Sequence, residues 1–430
     1  MNLRHICAAG GIAAFIAAAP ANAAVLRVFP TNSSASDIQV AIDKAKPGDT
    51  ILVEPGTYRF TPKNAQKWQY GLRIKTHNLR LIGKGKPGEV RLVYTGPEKY
   101  EEVVGAGVYA APYIDENNGC DVDVGGRGGG PDDQAKARAC EAAKIKDFYI
   151  RGFTVEGFPR NGIQTRWVDG FEFIRNESKN NLNNGIYPTL SANGLVQNNV
   201  SYGSLDTAMW VAGSENVRVI GNEVFDSVIG FEITVANNVW VTQNKIHNNT
   251  LGIGLFHPDG AGNPSKPVMA NWVIEQNDVR DNNAPNKAKP GTFQSRLPPG
   301  IGILLLGVSD HTIAKNVVEN NEYVGIGVLG WCTANQGDPR LCPIVIGLPP
   351  REDPSVARNL VSLNKLSGNA TLPPELWPLP LPAVDILYVQ TPQLGETGTG
   401  NCFEKNKPSG FTYYSSEPDG QLPTDGCKKP

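Results

Sequence analysis

Histidine is scarce: five occur in 430 residues, and His5 lies at the extreme N-terminus. The seven cysteines include no Cys-x-x-Cys pair and no histidine-rich spacing, which excludes the usual zinc sites. Neither sign of charge dominates, with 40 Lys and Arg against 42 Asp and Glu, so the basic footprint of a nucleic-acid-binding protein is missing. After residue 19 no apolar run is long enough for a bilayer-spanning helix.

The N-terminus has Arg4, an apolar stretch from Ile6 to Ala19, and then Ala21-Asn22-Ala23. This pattern predicts a secretory leader cleaved after Ala23 and an exported, soluble product. Removing residues 1–23 takes Cys7 with it and leaves six cysteines in local couples: Cys120/Cys140, Cys332/Cys342 and Cys402/Cys427. Six cysteines allow fifteen connectivities; in an oxidising compartment the local couples are the expected disulfides.

Forty-seven glycines and frequent Asn-Asn and Asn-Gly pairs put turns at short intervals, which predicts many short strands. From residue 147 a unit recurs: an alternating strand, an Asn, an aliphatic residue, a polar corner, then Gly-Ile and another strand. It reads as "VRVIGNEVFDSVIGFEI" at 217–233 and "VWVTQNKIHNNTLGIGL" at 239–255. The repeated Asn is placed at Asn176, Asn198, Asn222, Asn244, Asn277, Asn316 and Asn364, about 22 residues apart until insertions follow Asn244. A unit of this size cannot bury its own apolar face, so the units must stack into a solenoid. Repeated Asn side chains at one corner then satisfy buried turn amides along the stack.

"SDIQVAIDKAKPGDTILVEPGTYRF" at 36–60 resembles the opening of right-handed parallel β-helix proteins of the pectin-lyase-like superfamily. The resemblance implies an all-β solenoid whose first coil is plugged by a helix at about Asp37–Ala45. Three segments are expected: a signal peptide (1–23), a β-helix domain with its cap (24–370), and a proline-rich, disulfide-stapled tail (371–430). The prolines of "LPPELWPLPLPAVD" argue against regular sheet there, so the tail should lie across the coils or over the last one.

Alternation along the Gly-Ile strands assigns an outward column of Gln164, Tyr187, Trp210, Glu232, Gly254, Leu304 and Gly327. A second contains Arg166, Thr189, Ala212, Thr234, Phe256, Leu306 and Leu329. The early coils thus present aromatic and charged groups suited to a sugar chain. The later ones present an apolar face that the tail or a second copy in a homo-oligomer should cover. Insertions at 257–270 and 281–300 border this face, as loops that wall a cleft do.

For uronate chemistry, which needs a cation, a base and an acid, the residues in position are His257, Asp259, Glu232, Tyr187 and Arg296 as catalytic groups. Trp210, Arg166 and Gln164 are placed as substrate-binding groups. Glycoside hydrolysis would instead use two carboxylates from Glu232, Asp206 and Asp259. No specific enzyme family is matched. Phe256-His257-Pro258-Asp259 contains the residue types of the Asp-Pro-His motif of alginate epimerases in another order. Arg296-Leu-Pro-Pro resembles the Arg-x-Pro-x-x-Arg run of pectate lyases, with Ile301 where the last Arg would stand. His257 and Asp259 also read as strand-ending turn residues. The leading expectation is a lyase or C5-epimerase acting on an acidic polysaccharide; the alternatives are a non-catalytic binding or envelope protein and a glycoside hydrolase. No cofactor is required on this reading. "DVDVGGRGGGPDD" at 121–133 has acid spacing that could serve calcium, without the full loop pattern.

Overall fold

The computed structural model describes residues 23–63, 69–115, 118–120, 131–257, 269–335, 338–347 and 353–427. Their strands form three long sheets of 12, 10 and 11 strands. One coil runs through all three: Val168–Ile174 in the first sheet, Glu177–Lys179 in the second, Ile186–Thr189 in the third. The next coil returns to the first sheet at Ala192–Gln197, pairing in parallel with Val168–Ile174. The expected solenoid is thus formed. Its core is a stack of Ile, Val, Leu and Phe from inward positions such as Ile163, Ile186, Phe231, Ile253, Ile303 and Ile326.

Asparagine ladders hold the corners. The amide N–H of Asn176 donates to Oδ1 of Asn199 at 2.8 Å, and Asn199 donates likewise to Asn222 at 2.8 Å. The ladder continues through Asn244, Asn277, Asn316 and Asn364 to Asn406. The expected member Asn198 is therefore corrected to Asn199. Asn198 is the left-handed residue just before the ladder, with φ +55°, the place held in the next coil by Gly221 with φ +64°. Asn tolerates this conformation better than most residues, so one of two adjacent asparagines turns the chain and the other ties it.

A helix, Ala35–Lys44, closes one end of the stack with Ala35, Ile38 and Ile42 buried. It begins two residues before the expected start because Ser34 and Asp37 form a capping box. At the other end the expected tail boundary at 370 is not a break in the coils. The proline-rich segment itself is strand-free, but Val384–Val389 rejoins the third sheet and Cys402–Glu404 the first. Beyond Ala383 the prolines thin out and alternation resumes, so backbone donors are again available for pairing. All three expected disulfides form: Cys120–Cys140, Cys332–Cys342 and Cys402–Cys427.

The apolar outer face is covered from within the chain. Leu251, Phe256, Ile301, Leu304, Leu306, Leu329 and Leu387 form a second buried cluster. Phe293 and Leu297 pack on it from the 281–300 insertion, Trp331 and Leu341 from the excursion after Leu329, and Leu372, Trp377 and Leu381 from the proline-rich segment.

Candidate active site

The predicted outward column lies in register on the third sheet and starts earlier than the sequence suggested. Arg73 pairs across to Tyr109, Tyr109 to Gln164, Gln164 to Tyr187, and Trp210 to Glu232. At roughly 4.8 Å per strand the polar strip from Tyr109 to Glu232 is about 19 Å long. Arg73 lies over the Tyr109 ring at 4.7 Å and over the Tyr113 ring at 4.5 Å. The first coils lack the Gly-Ile signal, which is why Arg73 and Tyr109 were not found by aligning it.

Tyr187 and Trp210 are half-buried and stack on each other, with ring centroids 4.6 Å apart and planes 11° from parallel. Trp210 Nε1 donates to Thr234 Oγ1 at 3.0 Å, fixing the indole. Each ring spends one face on the other, so their edges line the strip. Gln164 and Arg166 are buried on the same floor, and Asn161 Nδ2 donates to Gln164 Oε1 at 2.8 Å. Cys120, Ala137 and Cys140 pack with Trp167, the residue that follows Arg166, in a separate buried cluster.

The strip ends at a pair of carboxyl groups. Glu232 is 3 % exposed, and Thr207 Oγ1 lies 2.6 Å from its Oε2 and 3.2 Å from Oδ1 of the more exposed Asp206. One hydroxyl bridging both keeps the two carboxylates within about 6 Å of each other, near the close spacing found in glycosidase pairs. Burial raises the Asp206 carboxyl to about 6, opposed by hydrogen bonds from Thr207 and Gln294. Burial first, and then repulsion from Asp206, raises Glu232 well above the usual carboxylate range. Among the described residues no cation shifts either carboxyl.

A hydroxyl has one proton and cannot donate to both acids. The arrangement resolves itself if Glu232 keeps its proton and donates to Thr207, which donates in turn to ionised Asp206. This gives a protonated acid beside a carboxylate base at neutral pH, two roles set apart by environment. Thr207 holds the pair together; alternation counted back from the outward Trp210 assigns Thr207 to the inward face, so no sequence signal marks it.

Gly254 follows Glu232 in the column, and the Phe256 ring folds over it: a Cβ there would meet Phe256 Cζ at 2.5 Å. Phe256 packs edge-on against Phe293 at 5.2 Å, and Phe293 stacks on Trp331 at 5.8 Å. The 281–300 insertion thus seals the apolar side with Phe293 and reaches the acid pair with Gln294.

The remaining sequence-predicted groups lie elsewhere or outside the described residues. His257 is buried at the end of its strand, its backbone N–H bonded to Leu306 O at 3.1 Å. Burial, opposed by Asp310 and helped by the neighbouring His257, lowers His311 to about 3. Arg296 donates from Nη2 to Asp338 Oδ2 at 2.7 Å. Asp259 and residues 121–130 of the acidic loop lie outside the described residues. For calcium, the Asp206–Glu232 pair offers fewer oxygens than the six to eight that ion takes. Among the described residues the one three-membered group of potential ligands is Cys402, Glu404 and Cys427, whose sulfurs form a disulfide. No described helix is long and apolar enough to cross a membrane.

A sequence profile described as "Right handed beta helix region" matches residues 149–337. No curated protein sequence matches the chain. Among solved structures, the DFA-IIIase of Arthrobacter chlorophenolicus A6 in complex with DFA-III aligns with a TM-score of 0.53 at 15% identity, covering 95% of this chain and 87% of that one. The A-module of the mannuronan C-5 epimerase AlgE4 of Azotobacter vinelandii aligns with a TM-score of 0.51 at 12% identity, over 90% of this chain and 93% of that one. The periplasmic alginate epimerase AlgG gives 0.44 at 13% identity, over 86% and 76%. At such identities the first two likenesses are of fold alone, and they agree with the sheets and ladders above: the chain has a right-handed parallel β-helix fold.

Proposed function

We propose that the protein is an exported carbohydrate-active enzyme that cleaves or transfers a glycosidic linkage, with Glu232 as general acid and Asp206 as its carboxylate partner. The observation that carries this reading is the Thr207-bridged acid pair, with both carboxyls raised, at the end of the strip that includes Tyr187 and Trp210. In the step it implies, Glu232 gives its proton to the leaving oxygen as Asp206 attacks the anomeric carbon. Water then releases the sugar from Asp206 as Glu232 takes a proton back, the retaining course suited to closely spaced carboxyls. Export accords with three disulfides, which persist in oxidising compartments.

A uronan lyase or C5-epimerase is the second reading, favoured by Arg166, buried beside Gln164 on the strip. Incubating purified protein with alginate, pectate, glycosaminoglycans and fructans, with and without calcium, separates the readings. New reducing ends without unsaturated products support hydrolysis. Unsaturated uronates or a changed epimer ratio support the second reading. Inactivity on every member refutes both and leaves a non-catalytic binding protein.

A further inference from the structure

The 281–300 insertion carries a second polar feature besides Gln294. In its single helical turn, Gln294–Arg296, Gln294 reaches Asp206 while Arg296 reaches Asp338 in the neighbouring excursion. Arg340 converges on the same carboxylate, with Nη2 to Oδ2 at 2.7 Å and Nε to Oδ1 at 2.9 Å. The two guanidiniums share one acid, so the cluster keeps a net positive charge. Arg358 and Asp310, by contrast, form a one-to-one fork. Arg296, Ala334, Asn335, Asp338 and Arg340 line a cleft of about 470 Å³.

Asp338 is nearly buried, while the Arg340 side chain is 79% exposed and that of Arg296 40% exposed. Each guanidinium has five N–H donors. The contacts to Asp338 occupy Nη2 of Arg296 and Nε and Nη2 of Arg340, which leaves donors on both in the cleft. Asp338 itself is held far below the usual carboxylate range by Arg340 and then Arg296, so it remains an anchor that orients both forks. A planar carboxylate is the ligand that such forks match. Among the described residues no cation shifts the acid pair, and Arg296 lies in the helical turn of Gln294 with its guanidinium on Asp338, so charge recognition is displaced from the reacting groups.

We propose that this cleft is a carboxylate-recognition subsite, in which Arg296 and Arg340 bind a uronate unit of the saccharide at a distance from the scissile linkage. The assignment rests on the carbohydrate-active reading given above. It makes the substrate an acidic saccharide, selected by a contact separate from the reacting groups.

Binding is measured by calorimetry on the full chain carrying Glu232→Gln, using oligogalacturonates and oligomannuronates, neutral oligosaccharides of the same length, and a sulfated oligosaccharide. At least one uronate series is expected to bind in preference to the neutral series, with affinity falling as salt rises. Arg340→Gln and Arg296→Gln are each expected to weaken it at least ~10-fold, while Arg296→Lys recovers part of the loss. Thermal unfolding of each variant checks that the fold is intact. Uronate binding unchanged by both substitutions, equal binding of the neutral series, stronger binding of the sulfated one, or no uronate binding would each overturn the subsite. Wild-type turnover in Glu232→Gln and Asp206→Asn would instead overturn the acid-pair mechanism, and the binding results distinguish that failure.

Discussion

The hydroxyl oxygen of Thr207 lies 2.6 Å from Oε2 of Glu232, and its single proton cannot serve that carboxylate and Asp206 together. The trio is satisfied when one carboxyl keeps its proton, and burial, then repulsion from Asp206, favours the protonated form of Glu232. Glu232→Gln keeps the shape but removes the transferable proton, and Asp206→Asn removes the base. Each is expected to lower kcat by at least ~10² on whichever glycan is turned over, measured as reducing ends released.

The same substitution should stabilise the protein. A carboxyl raised in the folded state binds its proton more tightly than the unfolded chain does. Stability is therefore retained below the ordinary glutamate range and lost as pH rises towards the folded value. Glu232→Gln escapes this loss. Its gain in stability, read as a higher Tm, should be clear at pH 8 and should fade by pH 4.

Activity should follow the pair. With Asp206 at about 6, the rate is expected to climb as pH rises through that region and to fall at higher pH as Glu232 loses its proton. Substituting Asp206 should abolish the acidic limb of the profile. A limb that persists in Asp206→Asn would assign it to another group.

Two adjacent asparagines should respond in opposite ways. Asn199→Ala strands the Asn176 amide and the Phe173 carbonyl in a buried corner, at an expected cost of about 2–4 kcal/mol. Asn198→Gly retains the left-handed turn and should change stability by less than ~1 kcal/mol. Denaturant midpoints for the two variants test this directly.

Phe293 packs between Phe256 and Trp331 over the apolar outer face. Phe293→Ala should cost about 2–4 kcal/mol and expose the face to a hydrophobic dye. It should also reduce kcat/KM, since Gln294 would lose its footing beside Asp206.

The architecture was legible because the repeat imposes it. Period-two alternation, the coil length and the local cysteine couples each reflect constraints that act within one coil or between neighbours. Even there, Asn198 and Asn199 could not be told apart by type, since only φ separates a turn residue from a ladder residue. The site was less legible because it depends on what loops bring back to the sheet. Column positions gave Glu232, Trp210 and Tyr187, but the link from Gln294 to Asp206 crosses 88 residues of sequence. Arg296 was recognised as a cation, yet its partner Asp338 lies in a different excursion, 42 residues on. His257 drew attention by rarity and location, whereas it is buried at a corner near His311.

The corner ladders close whether 22, 33, 39 or 48 residues separate their members. Each coil needs its partner's side chain at the right height and is indifferent to the path the chain takes between. Insertions between successive ladder members can thus be lengthened, exchanged or rewritten at small cost to the stack. The scaffold and the specificity are separately inheritable: a new loop beside the third sheet can change which saccharide is held while the rungs beneath keep their register.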